Sequence, residues 1–396
     1  MREWKEKEFA ECLIPVSIER SKQIQANSYL KMGKYPIVDQ GKDLIAGWTN
    51  EEAAILKKDL PLIIFGDHTR IFKYVEFPFA LGADGTKLIK PNHKEFSTRF
   101  FYYYLLTLNI PVRGYNRHYK LLKEQNIRYP SFAEQKKIAA VLFKIQQAIE
   151  IQESIIEKTR ELKKSTLHHV FTHGLRGEML KETEIGPMPE SWVLNRINDL
   201  LTETTQTDPL KTPERKIKYI DVSSISNTRY VIETYAYLLG KDAPSRARKV
   251  VEEGDVIVAT VRPTLRRIAC VTPDFNNEIC STAFCVLHPK RGVLDEKYLF
   301  YAIQRDEFFA GLEKLQQGAS YPAVADSDVK DQWIPLPGIA EQKEIANYLQ
   351  IIDQKIELHI AQKSALQDLF KTMLNKLMTG EIRVKDLEID LPNFKA

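Results

Sequence analysis

The sequence predicts an α+β protein of two similar halves, in which each half is a globular domain followed by a long helix and the two helices pair as an antiparallel coiled coil. Three observations support this fold class. The chain has 396 residues, more than a single domain usually holds. The string FAEQKKIAAVL recurs as IAEQKEIANYL, so that Ala133 and Ala340 lie 207 residues apart. Both copies continue as helix-like sequence that ends near a glycine, Gly174 or Gly380.

Fainter similarity upstream of both copies indicates that whole halves are repeated. NIRYPSF precedes the first copy and WIPLPGI the second at the same offset, while FFYYYLL resembles YLFYAI farther back. Pro and Gly interrupt the periodic sequence near Ser131, Gly186 and Gly338. We therefore divide the chain into a first globular domain, a central helical region, a second globular domain and a C-terminal helical region, at 1–131, 132–178, 179–338 and 339–396.

The two helical regions carry narrow apolar stripes at three- and four-residue spacing, which is typical of a coiled-coil seam. The seam residues are Ile138, Leu142, Ile145, Ile149, Ile156, Ile345, Leu349, Ile352, Ile356 and Leu369. Each helix is predicted to run for about 40 residues, or roughly 60 Å. The alternative is that each helix packs only on its own domain. Mutual antiparallel pairing is favoured because a narrow stripe suits a single helix partner, and it would relate the two halves by a pseudo-two-fold axis.

Within the globular domains, short strands are predicted between turn signals. The first domain contains LPLIIFG from Leu60 and RIFKYVEF from Arg70, and the second contains KYIDVSSI from Lys218 and GDVIVATVRPTLRRIACV from Gly254. Helical segments such as FSTRFFYYYLL lie among these strands. The mixture indicates an α+β domain in each half.

Composition excludes several classes of protein. A net charge of +4 and 43% hydrophobic residues are ordinary for a soluble globular protein and only permit a polyanionic partner. The four cysteines form no CxxC pair, which argues against a structural zinc site or a disulfide framework. The N-terminus has no apolar leader-like run, and no segment offers about 18 consecutive apolar residues. We expect a reduced, cytoplasmic protein without a membrane partner or a bound metal.

The candidate DNA-binding segments are two basic stretches, VRGYNRHYKLLKEQNIR from Val112 and TVRPTLRRIA from Thr260, the polar loop QQGASYPAV from Gln316, and the GDHTR turn from Gly66. Arg and Lys can reach phosphate oxygens, Arg can bind guanine through two hydrogen bonds, and Asn can do the same for adenine. A solvated charged surface explains either basic stretch about as well, but their matching positions in two repeated halves favour DNA. The candidate residues are His68, Arg70, Arg113, Tyr115, Asn116, Arg117, His118, Tyr119, Lys120, Arg262, Thr264, Arg266, Arg267, Ser320 and Tyr321.

Catalytic motifs are absent from the sequence. It contains no phosphate loop, no GxGxxG, no GxSxG and no HExxH. Neighbouring residues on a strand point to opposite faces, so Asp67 and His68 are better suited to a turn or a DNA contact than to a catalytic dyad. The Pro273-Asp274 pair stands in a turn-like PDFNN sequence. We predict a protein without catalytic residues.

The combination of motifs resembles the specificity subunit of a type I restriction-modification system. The resemblance rests on the duplicated AEQKxIA motif, with IPLP before its second copy, on the helix ends FTHGLRGE and LMTGEIRV, and on the strings VDQGKDLIAGWTN, IIFGDHTRIFKYVEFPFALGADG and GDVIVATVRPTLRRIA. These strings cover nearly the whole chain. The first copy departs from the pattern, since NIRYPSF has one proline where the second copy has IPLP.

The resemblance implies two target recognition domains that each read one half of a split double-stranded DNA site. The helices would act as a spacer and bind two copies of the modification (methyltransferase) subunit, and restriction subunits would join for cleavage. S-adenosylmethionine, ATP and magnesium are expected on those partner subunits and no cofactor on this chain. Two alternatives from other classes are a self-sufficient DNA methyltransferase or nuclease, and a coiled-coil adaptor that does not bind DNA.

Overall fold

The computed structural model describes residues 4–16, 18, 22–82, 85–111, 117–318 and 322–392. The chain divides into two compact units, one formed by Met1–Ser154 with Ile360–Ala396 and the other by Ile155–His359. Two long helices, α3 (Phe132–His173) and α7 (Ile339–Met378), contribute to both units. Each unit therefore combines one globular domain with a segment of each long helix.

The first globular domain contains nine strands and two short α-helices in its described part. The strands are β1 (Lys5–Glu8), β2 (Tyr35–Val38), β3 (Gly47–Thr49), β4 (Ile55–Leu56), β5 (Leu62–Gly66), β6 (Phe72–Val75), β7 (Phe79–Leu81), β8 (Thr86–Ile89) and β9 (Asn126–Tyr129). The helices are α1 (Thr98–Leu106) and α2 (Tyr119–Lys123). The strands form sheets of order β3-β2-β7-β4 and β6-β5-β8, together with a β1-β9 pair.

The second globular domain is built on the same plan. Its strands are β10 (Leu180–Lys181), β11 (Met188–Pro189), β12 (Val193–Arg196), β13 (Leu201–Thr202), β14 (Lys216–Ile220), β15 (Ala236–Leu239), β16 (Ala247–Val251), β17 (Val256–Ala259), β18 (Ile268–Cys270), β19 (Glu278–Ser281), β20 (Phe284–Pro289) and β21 (Trp333–Leu336). Its helices are α4 (Glu296–Ala302), α5 (Asp306–Leu315) and α6 (Asp326–Lys330). Its sheets have the orders β15-β14-β19-β16 and β13-β20-β17-β18, beside the pairs β12-β21 and β10-β11.

The strand orders match between the two domains. In the first sheet β2 runs parallel to β7, as β14 runs parallel to β19 in the second domain. In the second sheet the all-buried β5 lies between β6 and β8, as the all-buried β17 lies between β18 and β20. The predicted mixture of short strands and helices in each half, and the repetition of whole halves, are therefore confirmed.

The duplicated AEQ motif joins each domain to its long helix. The Gln135 side chain accepts a 3.0 Å hydrogen bond from the Ser97 N–H and donates to the carbonyls of Glu95 and Pro130. Gln342 makes the same three bonds with Asp295, Val293 and Pro337. Both glutamines are buried, so these side chains satisfy backbone groups that would otherwise lose hydrogen bonds to water.

The long helices run antiparallel in each unit. In the first unit Glu134 pairs with Arg383 at 2.7 Å and Glu153 with Lys363 at 2.8 Å. Lys363 lies on α7 and Arg383 just beyond its end, so a forward step along α3 matches a backward step along the C-terminal segment. In the second unit, Lys163 pairs with Asp353 at 2.8 Å and Arg176 with Glu344 at 2.8 Å, again in opposite order.

The seam prediction needs two corrections. Ile138 and Leu142 lie in a core that includes α1, and Ile345 and Leu349 lie in the corresponding core of the second unit, so these four residues also pack on the globular domains. Leu369 is 45% exposed, although it was predicted inside the seam. The partly buried residues around it are Leu366, Phe370 and Met373. Adjacent helical residues point about 100° apart, so a seam through Phe370 turns Leu369 outward.

The other seam residues are buried or half-buried. Ile156 and Ile356 are buried, while Ile145, Ile149 and Ile352 are half-buried. The predicted helical regions 132–178 and 339–396 start with α3 and α7 but extend past their ends at His173 and Met378. No helix in the described part of the chain combines the length and apolarity needed to span a membrane.

Candidate nucleic-acid interface

Asp67 joins several loops of the first domain at the end of β5. Its N–H donates to the Gly85 carbonyl at 2.6 Å, and its carbonyl accepts from the His118 N–H at 3.1 Å. Its carboxylate accepts a 2.7 Å hydrogen bond from the Tyr119 N–H. The side chain is buried, with only 2% of the residue exposed. Asp67 therefore connects the β5 turn to the turn before β8 and to the start of α2.

Gln40 brings a further loop into this cluster. Its side-chain oxygen accepts from the His68 N–H at 3.3 Å, and its carbonyl accepts from the Thr69 hydroxyl at 2.6 Å. The backbone of Gly85 has φ +65°, and a Cβ there would lie 2.7 Å from both Gln40 Oε1 and His68 Cδ2. Only glycine fits this close approach without strain. Four sequence-distant segments thus meet around Asp67, and we call them the first loop cluster.

A buried lysine supports the same loops. Lys73 on β6 donates a 2.5 Å hydrogen bond to the Asp43 carbonyl, and its ammonium lies 3.6 Å from the Asp39 carboxylate. Burial lowers the pKa of Lys73, and the nearby Asp39 opposes that shift. Neither Lys73 nor Gln40 was predicted as a site residue. Gln40 lies in the VDQGKDLIAGWTN string, which was the available signal, whereas the burial of Lys73 follows only from the tertiary structure.

The predicted residues of the first domain fall into exposed and structural groups. Arg117 and Lys120 are exposed beside the first loop cluster, and His68 is half-buried. His118 is 1% exposed, and its Nδ1 lies 2.8 Å from the Asp67 carbonyl oxygen, so its ring supports the loop and cannot reach a duplex. The prediction of a DNA contact by His118 is corrected accordingly.

Tyr119 and Arg70 are also turned toward the protein. The Tyr119 ring lies 6.1 Å from that of Phe65 and 6.4 Å from that of Phe9, and burial raises the pKa of its hydroxyl. Arg70 has φ 62° and donates to the Ile110 carbonyl at 2.8 Å. Both side chains thus have partners within the protein, and their predicted DNA contacts stay predictions.

Thr260 occupies the equivalent place at the end of β17 in the second domain. Its N–H donates to the Ala283 carbonyl at 2.8 Å, and its carbonyl accepts from the Val324 N–H at 3.0 Å. Its hydroxyl adds a 3.0 Å bond to the same Ala283 carbonyl. The Arg262 N–H donates to the Pro322 carbonyl at 2.7 Å. We call the segments joined here the second loop cluster.

The predicted residues of the second domain divide in the same way. Arg262 and Thr264 are exposed on the turn between β17 and β18. Arg267 is half-buried and donates to the carbonyls of Val222 and Ile225, so it has a structural role in fixing a neighbouring loop. Its predicted DNA contact stays a prediction.

Arg266 has a protein partner at the surface. It donates a 2.6 Å hydrogen bond to Asp306, and its guanidinium carbon lies 5.0 Å from the centre of the Phe309 ring. This hydrogen bond and the positive charge of Arg266 lower the pKa of Asp306. A DNA phosphate would have to compete with Asp306 for this side chain.

Five predicted residues lie outside the described residues. They are Arg113, Tyr115, Asn116, Ser320 and Tyr321. The flanking segments are described on both sides, and they enter the first and second loop clusters through His118 and Val324. The remaining motif, Pro273-Asp274, begins a short turn-like helix at Pro273–Phe275, as its sequence predicted.

Comparisons with known proteins agree with the repeat. The family model of the type I restriction modification DNA specificity domain matches residues 1–160 and 189–368. The chain is 26% identical over 276 residues to the type I restriction enzyme MjaVIII specificity subunit of Methanocaldococcus jannaschii, covering 68% of this chain and 64% of that relative. It is also 26% identical over 337 residues to the putative MjaX specificity subunit of the same organism, covering 78% of this chain and 73% of the relative.

A solved structure shows the same fold over nearly the whole chain. The S subunit of a type I restriction-modification system from M. genitalium superimposes with a TM-score of 0.61 at 15% identity, covering 94% of this chain and 96% of that chain. The family model matches most of the sequence and falls on both halves of the repeat. The chain belongs to the type I restriction modification DNA specificity domain family.

Proposed function

We propose that this chain is a sequence-specific DNA-binding subunit that reads a split target, one half with each globular domain. The observation that carries the proposal is the formation of equivalent loop clusters at the ends of β5 and β17. Each cluster presents exposed cations on a fixed backbone, Arg117 and Lys120 in one and Arg262 in the other. Loops held by a rigid scaffold commonly carry recognition, and these side chains suit phosphate and base contacts.

We further propose that the chain acts within a type I restriction-modification complex. Its relatives are named as specificity subunits of such enzymes, which supports modification and restriction subunits as its partners. Two copies of the modification subunit, one for each half of the repeat, are part of this proposal. The long helices leave apolar side chains such as Ile151, Tyr348 and Leu358 exposed, and a partner helix could cover them. Methylation and cleavage, with S-adenosylmethionine, ATP and magnesium, would then belong to those partners and not to this chain.

Duplex binding at two salt concentrations tests the DNA-reading proposal. Phosphate contacts release counterions, so the logarithm of the binding constant should fall linearly with the logarithm of salt concentration. Sequence-specific binding should also leave a residual preference for one duplex at high salt. A full chain that binds no duplex at low salt would favour the adaptor alternative. Turnover of DNA by the pure chain with S-adenosylmethionine and magnesium would instead favour a self-sufficient enzyme.

A further inference from the structure

Asp67 and Thr260 have unrelated side chains but the same backbone role. Each follows a buried central strand and donates its N–H to the residue before a strand that pairs with that central strand, β8 or β20. The carbonyl of each accepts from the loop that precedes a helix, α2 or α6. We propose that Asp67 and Thr260 are positioning residues, each holding the loops of one reading site so that its loss changes the recognition of one half of the target only. This inference rests on the proposed function.

In the first domain, Asp67 acts through the segment that begins with Arg117. Because the residue is 2% exposed, its carboxylate cannot itself touch a base. It instead accepts the Tyr119 N–H, while its carbonyl accepts both the N–H and Nδ1 of His118. Asp67 therefore fixes the backbone that displays Arg117 and Lys120.

In the second domain, Thr260 fixes two segments by different groups. Its carbonyl holds Val324, and its hydroxyl holds Ala283 at 3.0 Å. The chain then emerges at the exposed Arg262, whose N–H is bonded to Pro322. The side chain of Thr260 thus supports only part of the second loop cluster. We expect its removal to have a smaller effect than the removal of the Asp67 carboxylate.

Both turns end at an arginine in the left-handed backbone region. Arg70 has φ 62° and Arg266 has φ 51°, a conformation that L-residues rarely adopt. In the first domain only His68 and Thr69 lie between the positioning residue and this arginine, whereas Val261 to Leu265 lie between them in the second. The same arrangement of main-chain hydrogen bonds therefore holds turns of different length in the two domains. This difference suits two reading sites that prefer different DNA sequences.

The test is selection of duplexes from a random-sequence library by the full chain and its variants. The wild-type chain should enrich a motif with two separated parts. Asp67→Ala should lose the preference in one part and weaken binding to the wild-type motif about tenfold, while the other part is kept. Asp67→Asn should retain both parts, because its side-chain oxygen can still accept the Tyr119 N–H. Thr260→Val should weaken the other part, and Thr260→Ser should retain it.

Different results would contradict the DNA-reading function and the positioning roles of Asp67 and Thr260. If the wild-type chain enriches no motif, or a motif of one part, the proposed function is wrong. If it enriches two parts and Asp67→Ala enriches the same two parts with equal affinity, the function stands and the positioning role is wrong. Equal loss of both parts would also overturn that role. Should Asp67→Ala fail to fold, Thr260→Val, which keeps the side-chain size and every backbone bond, decides the question.

Discussion

The Tyr301 hydroxyl donates a 2.9 Å hydrogen bond to the Asp353 carboxylate, which also pairs with Lys163 of the antiparallel helix at 2.8 Å. Tyr103 makes the equivalent bond in the first unit, to Gln146 at 3.0 Å. Gln146 and Asp353 lie 207 residues apart, the offset of the repeat. The position that Lys163 fills in one unit is filled by Phe370 in the other, 5.9 Å from the Tyr103 ring. The second unit thus has an ion pair, Lys163–Asp353, at the position where the first unit has the uncharged side chains of Gln146 and Phe370.

Removing the Asp353 carboxylate should destabilise the protein more than removing the Gln146 amide. Asp353→Ala removes the ion-pair partner of the Lys163 side chain, which is 14% exposed and keeps a 2.9 Å hydrogen bond to Gln304, and it removes the acceptor of the buried Tyr301 hydroxyl. These losses should cost about 2 kcal/mol. Gln146→Ala should cost about 1 kcal/mol. Urea unfolding followed by circular dichroism measures both. Asp368→Asn, at an exposed position of α7, is the control, and equal effects of all three substitutions would contradict the prediction.

Loss of either AEQ glutamine should loosen one domain from its helix. Gln135→Ala and Gln342→Ala each remove the partner of one N–H and of two carbonyls, several of them partly buried, which should lower the free energy of unfolding by roughly 2 kcal/mol. Limited proteolysis should then cut Gln135→Ala within the first unit and Gln342→Ala within the second. Lys343→Ala, an exposed neighbour, should behave as wild type. If protease cuts the two glutamine variants at the same sites, the two glutamines do not stabilise separate units.

Exposed and internal arginines should differ in their effects on DNA binding. Arg117→Ala and Arg262→Ala should leave stability unchanged and weaken binding, by about 1 to 3 kcal/mol if a base contact is lost. Arg267→Ala should instead lower stability, because its guanidinium holds the Val222 and Ile225 carbonyls. Titrations at two salt concentrations distinguish base from phosphate contacts, since loss of a phosphate contact also reduces the salt slope by about one. An unchanged affinity for both exposed variants would place the interface elsewhere.

If the paired helices act as a spacer, shortening both together should move the two halves of the DNA target closer. Removal of matched seven-residue segments from α3 and α7 keeps the seam in phase and shortens each helix by about 10 Å. The preferred gap should then shrink by about three base pairs. Selection from libraries of fixed half-sites with variable gaps measures it. An unchanged gap would refute the spacer role, and deletion from one helix alone, which breaks the pairing, is the control for misfolding.

The Arg266–Asp306 pair should make stability depend on pH in acid. Arg266 lowers the pKa of Asp306 below its unfolded value, so the folded state binds this proton less tightly. The pair therefore stabilises the fold above the unfolded pKa and loses that contribution as pH falls through the lowered folded pKa. The melting temperatures of wild type and Arg266→Ala should differ near pH 7, and the difference should shrink as pH falls below the ordinary Asp value of 3.8. A difference that persists in acid would attribute the effect to packing on Phe309.

The sequence by itself determined the repeat, the long helices and the class of protein, because these depend on local periodicity and on motifs read in order. The AEQ glutamines could be located in the sequence, although their hydrogen bonds to Glu95 and Val293 could not. Which basic residues face solvent was decided by the tertiary structure: Arg117 and Arg262 are exposed, while His118 and Arg267 serve the backbone. The equivalence of Asp67 and Thr260 could not be predicted from the sequence either. It consists of main-chain hydrogen bonds, which any residue type with an N–H and a carbonyl can make.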